Sequence, residues 1–361
     1  MKLRKTAVLV VALAVIFGLG LGVAGPVQAK KLMLKTQSIY PLALPVIGDT
    51  MVWFAEQIEK ASGGELIFKV YDPGKLVPGM EILESVAKGR IQAGYASAGF
   101  WSGKMAAGPL FGSVPFGPEA TEYLAWMFQG NGMKLYQEMY DTAGYNVKAF
   151  PVGMLAPETS GWFSKEIKSI DDLKGLKMRF FGLGGQVVQK LGVSATVLPP
   201  AEIFPALEKG AIDATEFSMP SIDKNLGFYK IVKYNYYPGW HQQATFVELL
   251  INKDVWNDKM TPAQQALVEL GVRASLMQSL AIAEGSQGPV IKENAEVHGV
   301  KNMYWSDEML DAFKKSWEEV RKEQSAKDPF FKKVWDDLAA FRADYAYWSR
   351  VGFLPRTVGP K

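Results

Sequence analysis

Two stretches, EILESVAKGRIQAGYAS (residues 81–97) and EIFPALEKGAIDATEFS (residues 202–218), line up at one constant offset of 121. Glu81 matches Glu202, Ile82 matches Ile203, Lys88 matches Lys209, Gly89 matches Gly210, Ile91 matches Ile212 and Ala93 matches Ala214. Each reads as a short amphipathic helix, a glycine placed to cap its C-terminus, and a strand that starts with a β-branched residue. The separation is too long for a solenoid repeat. It fits an α/β chain of two lobes built alike, each with a sheet flanked by helices. In open α/β sheets ligands bind outside the carboxyl ends of strands. That points to residues 95–101 after the first unit and 215–220 after the second.

The segments around the repeat agree with this plan. KLMLKTQSI (31–39) reads as a strand, MVWFAEQIEKASG (51–63) as an amphipathic helix ending at glycine, and GELIFKVYD (64–72) as a second strand. After Pro151 the pattern restarts with GWFSKEI, a Ser169 cap before DDLKG, and LKMRFF as strand. FVELLINKDVW (246–256) is a strand leading into Thr261-Pro262-Ala263-Gln264, a capping box with proline in the first turn. From there to about residue 350 the pattern is mostly helical, with a further cap at Asp328-Pro329.

The first 29 residues carry Lys2, Arg4 and Lys5, then a long apolar run and Val27-Gln28-Ala29. This is the form of a secretory leader cleaved after Ala29. No later stretch reads as a membrane span. Without the leader's three basic residues the chain has 37 basic and 37 acidic side chains, and no basic run of the kind nucleic acid requires. There is no cysteine and there are two histidines, so disulfides, lipid attachment through cysteine and most nucleophilic chemistry are excluded. His241, in the turn-like PGWHQQ, reads as a structural hydrogen-bonding residue. Gly182-x-Gly184-Gly185 lacks the last glycine of a dinucleotide loop and reads as a tight turn between strand and helix.

Several charged residues interrupt apolar segments. Arg179 falls on the opposite face of LKMRFF from Leu176, Met178 and Phe180, near a strand's carboxyl end. Its guanidinium can match a carboxylate with two hydrogen bonds, whether that of a ligand or that of a structural ion pair. Glu216 follows IDAT, Glu248 sits inside FVELLI, and Glu158 lies in LAPETSGWF. Brought together, the three would repel unless a cation held them, and an acidic cluster suits a hard cation. Kept apart, they are three separate surface or edge glutamates.

The chain resembles the extracytoplasmic solute-binding proteins of tripartite ATP-independent periplasmic (TRAP) transporters over essentially its whole length beyond the leader. The resemblance is carried by DDLKGLKMR, LPPAEIFPALEKGAIDATE and YDPGKLVPGMEILESVAKGRIQAGYAS. GLGGQVVQKLGV, YYPGWH and FVELLINKDVW are similar to the subgroup that binds 2-oxo or 2-hydroxy acids beside a metal ion. The resemblance implies a two-lobed periplasmic binding protein fold with a hinge, mixed sheets flanked by helices, and long C-terminal helices. It divides the chain into lobe I (30–152 and 245–283), lobe II (153–244 and 284–330) and a helical extension (331–361).

It further implies no enzymatic activity, but capture of a small organic acid anion such as pyruvate or lactate for delivery to a TRAP membrane permease. Arg179 takes the ligand carboxylate. Glu158, Glu216, the Phe217 carbonyl and Glu248 hold a cation, Ca²⁺ or Na⁺, and Phe100 and Trp101 cover the ligand. Phe217 stands where tryptophan is usual. Glu158 stands where glutamine is usual, which adds a negative charge. Trp335, Phe341, Tyr345 and Trp348 form a stripe on the terminal helix, which either packs on the chain's own lobes or joins two copies as a homodimer.

Overall fold

The computed structural model describes residues 31–353; residues 1–30, with the expected leader, and residues 354–361 lie outside it. In chain order the first elements are β1 (Leu32–Ser38), α1 (Asp49–Ala61), β2 (Leu66–Tyr71), α2 (Ile82–Ala87), β3 (Ala93–Ala96), α3 (Ala120–Gln129), α4 (Gly132–Thr142) and β4 (Val147–Leu155). The chain then forms β5 (Gly161–Phe163), β6 (Lys177–Arg179), α5 (Gly182–Lys190), β7 (Ser194–Thr196), α6 (Pro200–Glu208), β8 (Ala214–Thr215), α7 (Pro220–Leu226) and β9 (Tyr234–Tyr237). Last come β10 (Thr245–Asn252), α8 (Pro262–Glu296), β11 (Lys301–Tyr304), α9 (Asp307–Lys327) and α10 (Pro329–Gly352).

These strands build two mixed sheets. One has the order β2-β1-β3-β10-β4 and the other the order β11-β9-β5-β8-β6-β7. The repeat supplies one unit to each. Gly89 and Gly210 take the left-handed conformation at φ 70° and 68°, where a side chain would be strained. Their hydrogen bonds also correspond. Gly89 N–H donates to Val86 at 3.0 Å and Arg90 N–H to Ser85 at 2.9 Å; Gly210 N–H donates to Leu207 at 3.1 Å and Ala211 N–H to Ala206 at 2.9 Å. Equivalent helix ends thus feed equivalent strands β3 and β8.

The caps read from the sequence are present. Thr261 and Gln264 form the reciprocal box at the start of α8, and Asp328 accepts the backbone N–H groups of Phe330 and Phe331. By length and composition α8 could cross a membrane. It serves as a core helix, however, packed on β4 and α1 with Val268, Val272, Leu276 and Ala283 buried. Strands β9 and β11 were not foreseen. Both are short, and β11 pairs only with β9 at the sheet edge, so tertiary pairing rather than local pattern makes them strands. LKMRFF is strand only over Lys177–Arg179.

The chain passes between the sheets through 156–160, through 238–244 and a third time between β10 and β11, a stretch that contains α8. The first two segments lie against each other: Glu158 N–H donates to the Gln242 carbonyl at 3.2 Å, and Ser160 Oγ–H to the Pro238 carbonyl at 2.5 Å. A Cβ on Gly239 would stand 2.2 Å from the Glu158 carbonyl oxygen, so only glycine permits this approach. The halves also meet away from the crossings. The Phe100 and Phe181 rings pack edge to face with centroids 4.7 Å apart, and Phe116 N–H donates to the Trp240 carbonyl at 2.7 Å. At the C-terminus α9 packs on α5, with Gln324 bonded to Gln186 and Lys190 to Glu323. α10 returns to α3 and α4, where Asp337 accepts from Trp126 and Asn131.

Candidate functional site

The parallel register of β6 and β8 sets Arg179 beside Thr215, so Glu216 leaves its strand where Arg179 ends its own. Arg179 Nη1 donates to Glu216 Oε2 at 2.9 Å and to the Glu216 carbonyl at 2.5 Å, and Nε reaches the Leu198 carbonyl at 3.4 Å. Glu216 Oε2 also accepts the Phe181 N–H at 2.9 Å. The guanidinium lies 5.2 Å from the Phe217 ring centroid and 5.8 Å from that of Phe181. Arg179 and Glu216 are both fully buried. Of the two readings of Arg179, the ion pair is thus made within the chain. Its bonds use Nε and Nη1.

Glu158 arrives from the crossing segment. Its Oε1 accepts three long hydrogen bonds, from Thr245 Oγ1 at 3.3 Å, Gln242 Nε2 at 3.4 Å and Ser218 Oγ at 3.5 Å. Its Oε2 has no partner, and neither has Glu216 Oε1. His241 Nε2 stands between them, 3.4 Å from Glu216 Oε1 and 3.6 Å from Glu158 Oε2. One donor atom from each of Glu158, Glu216 and His241 lies within 4.8 Å of the others, and all three residues are buried. Buried carboxylate oxygens without partners are costly. Partnerless oxygens converging on one point are the donor set a cation requires.

The electrostatics follow the burial. Desolvation raises the Glu158 carboxyl to about 7 against the lowering effect of His241, with Glu216 adding repulsion. For Glu216 burial works in the same direction, but Arg179 and His241 outweigh it and hold the group below its ordinary value. Burial opposes the charged form of His241, yet its two carboxylate neighbours lift its pKa to about 9. Removing a group of this set therefore leaves buried charge on the others uncompensated.

Asp223, fully buried near the start of α7, supports the arrangement from behind. Its Oδ1 accepts the Ser218 N–H at 3.1 Å, and its Oδ2 accepts Trp162 Nε1–H at 2.8 Å and Thr159 Oγ1 at 3.4 Å. One carboxylate thus ties the segment carrying Glu158 to the one carrying Glu216 and Phe217. Burial raises its pKa well above the ordinary range, with Glu158 and Glu216 adding to the effect.

The structure corrects the expected placing of Glu248. It lies on β10 in the first sheet, and its Oε1 accepts Trp101 Nε1–H at 2.7 Å. Its Oε2 accepts the hydroxyls of Tyr136 and Tyr140, the latter at 2.6 Å. Three donors hold this carboxylate, and it is outside the group formed by Glu158, Glu216 and His241. Trp101 is accordingly anchored to Glu248 and fully buried. Phe100 bridges Phe181 and Tyr40, with the Tyr40 ring 6.2 Å away. Burial and then the charges of Glu248 and Glu158 raise the Tyr40 hydroxyl well above its usual range.

The structure therefore brings together Arg179, Glu216, Glu158 and Phe217, with Phe100 facing them across Phe181. The sequence reading missed His241 as a member of the group, along with Gln242, Asp223, Tyr40 and the two tyrosines on Glu248. Tyr136 and Tyr140 did carry a signal: an i, i+4 spacing places both hydroxyls on one face of α4.

The comparisons agree with this architecture. The chain is 37% identical over 300 residues to the monocarboxylate 2-oxoacid-binding periplasmic protein of Nostoc sp., covering 83% of this chain and 81% of that one. Its structure is similar to that of a TRAP transporter solute-binding protein from Bordetella bronchiseptica, a mixed-occupancy dimer with copurified calcium and picolinate. The TM-score is 0.86 at 30% identity, covering 89% of this chain and 95% of that one. A periplasmic TRAP solute-binding protein from Pseudoalteromonas atlantica, with bound sodium and pyruvate, gives a TM-score of 0.85 at 31% identity, covering 89% and 97%. Residues 42–328 match the DctP family model, so the chain belongs to the bacterial extracellular solute-binding proteins of family 7.

Proposed function

We propose that this chain is a periplasmic receptor that captures a small 2-oxo or 2-hydroxy monocarboxylate, such as pyruvate or lactate, together with a cation. It then presents the ligand to a TRAP membrane permease. The observation that carries the reading is the pair of buried, partnerless oxygens, Glu158 Oε2 and Glu216 Oε1, beside Arg179. Arg179 receives the ligand carboxylate through the nitrogen that its structural bonds leave over. Glu158, Glu216 and the Phe217 carbonyl hold the cation, which neutralises charge and gives the ligand's carboxylate and 2-oxygen a common partner. The similar proteins, with calcium or sodium beside pyruvate or picolinate, support both halves of the reading.

The two lobes hinge through residues 156–160 and 238–244. Ligand favours the closed arrangement because it contacts the Arg179 side and the Phe100 side at once. The reading is capture without turnover, in a mature protein that begins after Ala29. Two copies associate through the end of α10. Its first half packs inward, with Phe331, Val334 and Leu338 buried and Trp335 against Trp317. Tyr347, Trp348, Val351 and Phe353 stand exposed near its end.

Chelator-treated, refolded protein lacking the leader tests this by calorimetric titration with pyruvate, lactate and malonate, with and without Ca²⁺, in sodium or potassium buffer. Tight, cation-dependent binding of pyruvate or lactate with stoichiometric release of unchanged acid is expected. Cation-independent binding would remove the metal from the reading. No binding of any of these acids would remove the substrate class.

A further inference from the structure

His241 is the side chain at the site whose surroundings do not account for it. It is 1% exposed, and neither ring nitrogen has a hydrogen-bond partner among the described residues. Its ring is aimed by packing, edge to face on Phe180 at 5.0 Å and beside Trp240 at 5.7 Å. A Cβ on Gly184 would stand 2.9 Å from the His241 Cβ, so the glycine lets the base of the His241 side chain come close to α5. Nε2 faces Glu216 Oε1 at 3.4 Å and Glu158 Oε2 at 3.6 Å, and both oxygens lack partners. A charge-assisted N–H···O bond closes to about 2.7–2.9 Å, so these are not made hydrogen bonds. Nitrogen and oxygen donors bound to one metal at about 2.0–2.2 Å lie roughly 3.0–3.5 Å from each other. The observed separations are close to that spacing.

Resting on the cation reading above, we propose that His241 is a further protein ligand of the cation, through Nε2. We propose also that this chain takes a borderline divalent ion of the Co²⁺, Ni²⁺ or Zn²⁺ class in preference to Na⁺ or Ca²⁺. Hard ions such as Na⁺ and Ca²⁺ take oxygen donors, whereas imidazole suits the later first-row metals such as Ni²⁺ and Zn²⁺. A set of two carboxylates and one imidazole sits at that boundary. The charge balance points the same way. Glu158 and Glu216 bring two negative charges, Arg179 brings one positive, and a monocarboxylate brings one further negative. With His241 neutral, as a metal-bound imidazole must be, a divalent ion takes the enclosed set to neutrality, while a monovalent ion leaves one negative charge buried.

The test uses the chelator-stripped protein loaded with Mn²⁺, alone and with pyruvate, and read by pulsed electron paramagnetic resonance. Coupling to an imidazole nitrogen is expected, and it should vanish in His241→Gln. Parallel calorimetry should show Zn²⁺ or Ni²⁺ bound roughly tenfold or more tightly than Ca²⁺, with the preference collapsing in His241→Gln. Absent nitrogen coupling, with pyruvate binding that still needs a cation, overturns the role of His241 and leaves the proposed function standing. Pyruvate binding that needs no cation overturns both. If His241→Gln fails to fold, the nitrogen coupling in the unsubstituted protein decides alone.

Discussion

Arg179 and Glu216 form an ion pair at 2.9 Å that is shut off from solvent on every side. A pair of this kind adds little net stability relative to apolar residues of equal volume, but breaking it leaves one buried charge uncompensated. Arg179→Ala should therefore lower unfolding free energy by about 3–5 kcal/mol and abolish carboxylate binding. Arg179→Lys keeps the charge but loses the fork, and should fold while binding pyruvate far more weakly. Urea melts with calorimetry separate the two, and full affinity in the lysine variant would remove Arg179 from the ligand.

Asp223 holds two loops at once, so Asp223→Asn should affect binding as well as folding. The substitution turns an acceptor into an amide beside the Trp162 and Ser218 donors, at a cost of about 1–3 kcal/mol. Because those loops carry Glu158 and Phe217, affinity for cation and for acid should fall together. A variant destabilised to this extent but with unchanged affinity would make Asp223 a packing residue only.

Glu248 makes the opposite case. Its three donors come from the turn that follows β3 and from α4, so Glu248→Gln should cost about 1–3 kcal/mol of stability and leave cation dependence intact. Loss of cation dependence in this variant would return Glu248 to the metal.

The pH dependence of the cation-free protein follows from two raised groups. His241 moves from 6.5 to about 9, so its contribution is fully present below about pH 6.5 and is lost as pH rises through 9. Glu158 moves from 4.5 to about 7, so the folded state binds its proton more tightly, and that contribution is lost as pH rises through 7. Chelator-treated protein should melt at a lower temperature at pH 9.5 than at pH 6. A melting temperature that is flat or rising over that interval would contradict the buried trio.

The sequence showed which residues were out of place more readily than what they met. Arg179 and Glu216 stood out because each interrupts an apolar strand, but their pairing depends on the register of β6 against β8, which local pattern does not encode. Glu248 stood out for the same reason and was assigned the wrong company. Its partners, Trp101 and two tyrosines on α4, lie more than a hundred residues away, whereas the reading grouped it with the other acids on charge and on the family resemblance. His241 could not be recognised from a turn-like PGWH. It joins the group because Gly239 lets the 238–244 segment press on the backbone of Glu158. The repeat was legible because both units carry the same helix, glycine and strand signals, which tertiary context did not override.

The place of β10 between β3 and β4 has a kinetic consequence. It pairs antiparallel with both, yet it is synthesised some 150 residues after β3. Until residue 252 is free to pair, both neighbours present an open edge and the first sheet cannot close. Such late, long-range pairing slows folding and exposes unpaired strands along the way.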